Sequence, residues 1–185
     1  ASFTPDGKQI VFTGNTDNTQ HPDRALESQV FVVNADGSGM KQLLGATGKS
    51  YTSPSISPSG KWLAVQVGTV SFVNVPELAV MALNGTAADL VMLPFDRNKG
   101  GLTWSKDEQH IYFNAQSNGG APIFRINVKT KKSEQLTSID EGISSFSMKA
   151  DKLVFVKTAV ANPFELYTTD LNSKKKKRIS SFNYD

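Results

Sequence analysis

Two histidines, no cysteine and a scatter of serines and carboxylates are all that this 185-residue chain offers to acid-base, nucleophilic or metal chemistry. A hydrolase serine of the nucleophile-elbow kind stands on a strained strand-to-helix turn written Gly-x-Ser-x-Gly, and no such run occurs here. His21 falls in a polar stretch and His110 at the entry to an apolar run. Gly45-Ala46-Thr47-Gly48-Lys49-Ser50 imitates the end of a phosphate-binding loop. A working loop needs glycine where Leu43 stands and a helix after Ser50, and Tyr51-Thr52-Ser53-Pro54 forbids that helix. Asn34-Ala35-Asp36-Gly37-Ser38-Gly39 imitates a calcium loop, but Val32 occupies the first ligand position and no bidentate Glu follows at the right distance. Asn84-Gly85-Thr86 is the single glycosylation sequon, and a turn already accounts for it. The expectation is a chain with no catalytic, cofactor-binding or metal-binding residues of its own, and no cofactor.

Composition narrows the class. The chain is 38% hydrophobic and 20% charged, with no apolar stretch near the roughly 18 residues of a membrane span. The net charge of +3 is misleading, because Lys174, Lys175, Lys176, Lys177 and Arg178 supply five positive charges in one run; elsewhere 15 basic residues face 17 acidic ones. A nucleic-acid binder spreads basic residues over a face, so no nucleic-acid partner is expected, and the lysine run reads as a solvated turn between two outer strands. The absence of cysteine fits a reducing or an oxidising compartment alike. Ala1-Ser2-Phe3-Thr4-Pro5-Asp6-Gly7 reads as the middle of a structural motif instead of a signal peptide, so the natural N-terminus is expected to lie upstream.

Stepping along the chain, four segments align without gaps: Phe3 to Phe12, Ile56 to Val65, Trp104 to Phe113 and Phe146 to Phe155. Each has a large apolar residue, then Ser or Thr, a turn, and three apolar residues. A second block follows each one, at Val30 to Gly37, Ala79 to Gly85, Ile123 to Thr130 and Leu166 to Ser173, and Leu43, Leu136 and Ile179 close three of the units. The leading residues are spaced by 53, 48 and 42 positions, close to the span of a four-stranded propeller blade. Turn chemistry supports this. In Pro5-Asp6-Gly7 and Pro58-Ser59-Gly60, proline presets φ and glycine accepts a positive one, while Asp36-Gly37 and Asn84-Gly85 are tight-hairpin signals. The apolar triplets are continuous instead of alternating, which means burial on both faces. Phe3, Trp104 and Phe146, at matched positions, are expected in the core between blades.

The rival reading is helical and rests on Glu77 to Leu83, whose residues are mostly good helix formers. Pro76 before it, Asn84-Gly85 after it and the match to three other copies favour a strand. The fold is therefore expected to be all-β, a β-propeller of about four four-stranded antiparallel blades over residues 1-45, 51-94, 100-137 and 142-182. Four blades leave two open faces, so the chain is expected to be part of a ring of roughly six to eight blades. Residues 14 to 28 should form an exposed polar loop.

The first copy, from Phe3 through Asp36-Gly37-Ser38-Gly39 to Leu43, resembles the TolB-like, WD-type propeller repeat. The third and fourth copies replace Pro-Asp-Gly with Lys106-Asp107-Glu108 and Met148-Lys149-Ala150. Ala161-Asn162-Pro163-Phe164-Glu165-Leu166-Tyr167, followed by Lys177-Arg178-Ile179-Ser180-Ser181-Phe182-Asn183, resembles the last blade of prolyl oligopeptidase family serine peptidases of the dipeptidyl aminopeptidase and acylaminoacyl-peptidase type. The resemblance implies a propeller that filters peptide substrates in transit to a C-terminal α/β-hydrolase domain of the parent chain, in a periplasmic or secreted enzyme. An alternative is a TolB-like propeller serving as a protein-protein interaction module. A propeller lyase would need more histidines than this chain has. Homo-oligomerisation stays open.

Overall fold

The computed structural model describes residues 1–16, 21, 26–71, 73–139, 142–159, 162–171 and 175–182. Among them there is no α-helix, and the only helical element is a 3-10 turn at Ala87–Asp89. The chain forms two compact units, Ala1–Arg97 and Asn98–Asp185, each holding two four-stranded antiparallel sheets whose strands follow chain order. The fold is all-β and of propeller-blade type, as expected from the repeats.

In the first unit, one blade is β1 (Ser2–Phe3), β2 (Gln9–Gly14), β3 (Gln29–Asn34) and β4 (Lys41–Leu44). The next is β5 (Lys49–Ile56), β6 (Trp62–Thr69), β7 (Glu77–Ala82) and β8 (Val91–Leu93). The Glu77 to Leu83 segment is thus a strand. Tertiary context overrides its helix propensity, since Leu78, Ala79, Val80 and Met81 are all buried and pair with β6. Val11, Val30 and Val32 of the first blade pack on Leu63, Val65, Ala79 and Met81 of the second. The two sheets are also stitched through their backbones, where Tyr51 N–H donates to the Ser28 carbonyl at 3.0 Å and Ser28 Oγ to the Tyr51 carbonyl at 2.7 Å.

The second unit repeats the plan with β9 (Lys99–Trp104), β10 (His110–Ala115), β11 (Ile123–Asn127) and β12 (Ser133–Gln135), then β13 (Gly142–Lys149), β14 (Lys152–Ala159), β15 (Asn162–Asp170) and β16 (Lys176–Arg178). Ile123 packs with Ile143, Leu153 and Phe155 between its two sheets, and Asn114 Nδ2 donates across to the Ile143 carbonyl at 3.0 Å.

The aromatic contribution to the core differs from expectation. Trp104 is buried and Phe146 packs on the Ile123 cluster, but Phe3 is 61% exposed. Phe3 pairs with Ile10, on the face of the first sheet turned away from the second, where no other sheet of that unit lies. The recurrent aromatic pair is instead cross-strand: Phe12 on Phe31, Phe113 on Phe124 and Phe155 on Tyr167, stacked at centroid distances of 5.6, 6.0 and 5.9 Å. Burial is continuous along Leu63-Ala64-Val65 and Ile111-Tyr112-Phe113, whereas Ile10-Val11-Phe12 and Leu153-Val154-Phe155 alternate between buried and half-buried residues.

Three turns also differ. Asn84-Gly85 does not make a two-residue hairpin. Gly85 N–H closes a turn on the Ala82 carbonyl at 2.9 Å, and the chain then enters the 3-10 turn, where the Asp89 carboxylate accepts from Thr86 N–H at 2.7 Å and from Thr86 Oγ1 at 2.9 Å. That capping box draws the chain into a longer connection. The lysine run is not a turn, because Lys176–Arg178 is itself the edge strand β16, paired with Tyr167, Thr168 and Thr169. The polar stretch 14 to 28 and residue Lys174 lie largely outside the described residues.

The fourth blade's first turn is the most informative departure. In the first three blades the leading apolar residue pairs with the residue seven positions later: Phe3 with Ile10, Ile56 with Leu63, Trp104 with Ile111. In the fourth, Leu153 pairs with Met148 and Phe146 pairs with Phe155. The gapless sequence match therefore hides a turn two residues shorter, and Met148 takes the structural place of Ile56.

Candidate functional site

The first three turns explain why the fourth differs. In the first, Thr4 Oγ1 donates to Asp6 Oδ1 at 2.6 Å, the same carboxylate oxygen accepts Lys8 N–H at 3.1 Å, and Gln9 N–H returns to Thr4 Oγ1 at 3.0 Å. The third copies this with Ser105 Oγ to Asp107 Oδ1 at 2.6 Å, Gln109 N–H to Asp107 at 3.1 Å and His110 N–H to Ser105 Oγ at 2.9 Å. The second uses Ser59 Oγ where the others have a carboxylate, at longer distances of 3.3 to 3.4 Å. These side-chain to backbone bonds hold the wider turn open. Gly7 at φ +70° and Gly60 at φ +75° supply its left-handed position, and Glu108 at φ +60° adopts the same backbone without being glycine. The fourth copy has Lys149 where the acceptor should be. With nothing to stitch the wide turn, the chain reverses over Ala150 and Asp151 alone, Ala150 taking φ +53°.

The sequence-singled turn residues sit as follows: Pro5, Asp6 and Gly7 between β1 and β2, Pro58 and Gly60 between β5 and β6, Asp36 and Gly37 between β3 and β4, and Asn84 and Gly85 before the 3-10 turn. Asp36 accepts both Ser38 N–H, at 2.9 Å, and Ser38 Oγ, at 2.7 Å. Hydrogen bonding holds the carboxyls of Asp6, Asp36, Asp89 and Asp107 below the ordinary aspartate value, from Thr4, Ser38, Thr86 and Ser105 respectively. These are structural acceptors, each already engaged with its own loop.

One place in the second unit gathers polar side chains without spending them on a turn. Tyr112 on β10, Arg125 on β11 and Glu134 on β12 are cross-strand neighbours, on the face of the third blade turned toward the fourth. Arg125 Nε and Nη2 both donate to Glu134 Oε2, at 2.9 and 2.6 Å. His110 and Asn127, the adjacent pair, are linked at 3.3 Å. Burial, with the nearby Arg125 charge, pushes the His110 imidazole below its usual range, so it is neutral at pH 7. Met148, Asp151 and Leu171 of the fourth blade face this ladder across a cavity of about 560 Å³.

The equivalent cleft of the first unit, of about 640 Å³ and lined by Gln9, Val32, Lys41, Trp62 and Leu83 among others, has valine where Arg125 stands. Sequence reasoning named His110 but missed Arg125 and Glu134. The signal was available: within the aligned second blocks, Arg125 interrupts Ile123-Phe124-Arg125-Ile126 where the first copy reads Val30-Phe31-Val32-Val33.

Neither cleft holds a catalytic constellation. The His110 ring is linked to the Asn127 side chain and not to a serine hydroxyl, and among the described residues no group of three or more His, Asp or Glu could hold a metal ion. Among those residues, too, no helix is long and apolar enough to cross a membrane.

No protein-family model matches the chain. A dipeptidyl-peptidase 5 from Porphyromonas gingivalis is 25% identical over 170 residues, which is 90% of this chain and 25% of that protein. Among solved structures, TolB from Acinetobacter baumannii superposes with a TM-score of 0.70 at 16% identity, over 96% of this chain and 42% of its own. A puromycin-hydrolyzing peptidase from Mycobacterium tuberculosis does so with a TM-score of 0.70 at 15% identity, over 96% of this chain and 27% of its own. The chain thus has the fold of the propeller domains in TolB and in prolyl oligopeptidase-type peptidases, and spans only a quarter of the length of the curated relative it matches.

Proposed function

We propose that this chain is the non-catalytic propeller portion of a serine peptidase of the dipeptidyl-peptidase and acylaminoacyl-peptidase kind, and that it gates the access of peptides to a C-terminal α/β-hydrolase domain encoded beyond Asp185. The observation that carries this reading is the alignment with the dipeptidyl-peptidase, which runs through 90% of the chain. The Pro163-Phe164-Glu165-Leu166-Tyr167 passage supports it and lies on β15, in the final blade. The chain itself has no Gly-x-Ser-x-Gly, so the nucleophile of such an enzyme belongs to another segment, and the propeller acts by size: short or unfolded peptides pass and folded proteins do not. The compartment that goes with this reading is periplasmic or secreted.

Labelling the full-length protein with a fluorophosphonate probe tests it. A single serine labelled downstream of residue 185, within a Gly-x-Ser-x-Gly, is the expected result; a full-length protein that takes up no probe and carries no such motif overturns the reading. The TolB likeness, which also covers 96% of the chain, favours a second reading, a propeller that serves as a protein-protein interaction module without a hydrolase. That reading expects a partner recovered in stoichiometric amount with the full-length protein and no probe-reactive serine.

A further inference from the structure

The blades of this chain are four versions of one design, so each provides a control for the others. At the matched position of each blade, the middle strands carry Val32, Val80, Arg125 and Thr168; their outer-strand neighbours are Lys41, Val91, Glu134 and Lys177. Only the third blade places an ion pair there. Stability does not require it: a half-exposed pair that shares one carboxylate oxygen adds little net stability, and an apolar pair at the same place packs at least as well. Across the cleft, the turn of the fourth blade is two residues shorter than that of the second. Local departures from a repeated design that bring no packing gain are where function is expected.

We propose that the cleft between the third and fourth blades binds a carboxylate borne on a small apolar body, such as the C-terminal residue of a peptide. Arg125 is the anchor. Its guanidinium has five N–H donors, of which two are spent on Glu134, so that others remain for a ligand. Glu134 fixes the plane of the fork, as a second partner does in bidentate recognition of carboxylates. Lys106 adds a second positive charge at the rim. The nearby Asp107 carboxylate does not compete, since Ser105 Oγ and Gln109 N–H hold it in its own turn. Across the cavity, Met148 and Leu171 offer the apolar wall for the body of the ligand.

Titration of the 185-residue chain with N-acetyl-leucine, followed by calorimetry and by amide chemical shifts, tests the proposal. The expected result is saturable binding with shifts at Tyr112, Arg125 and Leu171, weakened at least tenfold when N-acetyl-leucinamide replaces the acid. Arg125→Val, which installs the residue of the first blade, should lose at least tenfold in affinity while melting within about 3 °C of wild type. Arg125→Lys, which keeps the charge but not the fork, should bind at least threefold more weakly and serves if the valine variant does not fold. Absence of saturable binding to the wild-type chain, equal binding of acid and amide, or unchanged affinity in whichever variant folds overturns the assignment.

Discussion

Replacing Asp107 by alanine removes the acceptor that holds the first turn of the third blade open. Two hydrogen bonds to one carboxylate oxygen are lost, from Ser105 Oγ at 2.6 Å and Gln109 N–H at 3.1 Å. A bond to a charged group contributes roughly 1.5–3 kcal/mol where water is excluded, and this carboxylate is largely solvated, so the pair together is worth about 1–2 kcal/mol after screening. Ser105 Oγ still accepts His110 N–H, which limits the damage to the tip. Asp151 in the fourth blade provides the comparison: its turn is a two-residue reversal in which the backbone carbonyl, accepting Leu171 N–H at 2.9 Å, makes the useful bond. Asp151→Ala should therefore cost less than about 0.5 kcal/mol, the range of ordinary surface substitutions.

Urea unfolding at pH 7 measures both variants. The pH dependence adds a second check. The folded Asp107 carboxyl sits below its ordinary value because of Ser105 and the Gln109 amide, so its contribution is fully present above the unfolded-state value near 3.9 and is lost as pH falls through the folded one. The stability gap between wild type and Asp107→Ala should be constant from pH 7 to about 5 and close below about 4. Equal losses for Asp107→Ala and Asp151→Ala, or a gap that persists at low pH, would refute the stitching argument.

Other expectations rest on separate features. Ala150→Gly relieves a left-handed residue at φ +53°, worth about 1–2 kcal/mol against about 0.5–1 kcal/mol for the freer unfolded chain; a net gain of about 0.5 kcal/mol in denaturant unfolding is expected, and a loss of the same size contradicts it. Gly101→Ala adds a Cβ about 3.1 Å from the Phe146 ring at a residue with φ +65°, so destabilisation of about 1–2 kcal/mol is expected in the same assay. Phe113, fully buried against Phe124, should lose about 3–5 kcal/mol on truncation to alanine, whereas Phe3→Ala, at an exposed position, should lose less than about 1 kcal/mol; thermal melts that rank the two the other way would reverse the assignment of the aromatic core.

The blade pattern was legible because it is written twice over, in apolar triplets such as Ile111-Tyr112-Phe113 and in turn residues such as Pro5-Asp6-Gly7, and period and turn chemistry agree. What stayed hidden depended on the partner of a residue instead of its type. Phe3 and Trp104 share a sequence context, yet one is exposed and the other buried. Asn84-Gly85 carries a hairpin signature, but Asp89, four residues on, captures Thr86 and redirects the chain. The Arg125 ladder was invisible for a related reason: Tyr112, Arg125 and Glu134 are separated along the chain and adjacent only across strands.

The shortened turn of the fourth blade has a consequence for how such repeats can vary. Side chains alternate between the two sides of a strand with a period of two, so deleting a pair of residues leaves Leu153 and Phe155 aimed inward while Met148 replaces the residue lost from opposite them. Removing a single residue would instead have turned a whole strand inside out. Length changes at these tips should therefore accumulate in even steps, and a family of such blades could drift widely in contour while its interior went on meeting the same shape.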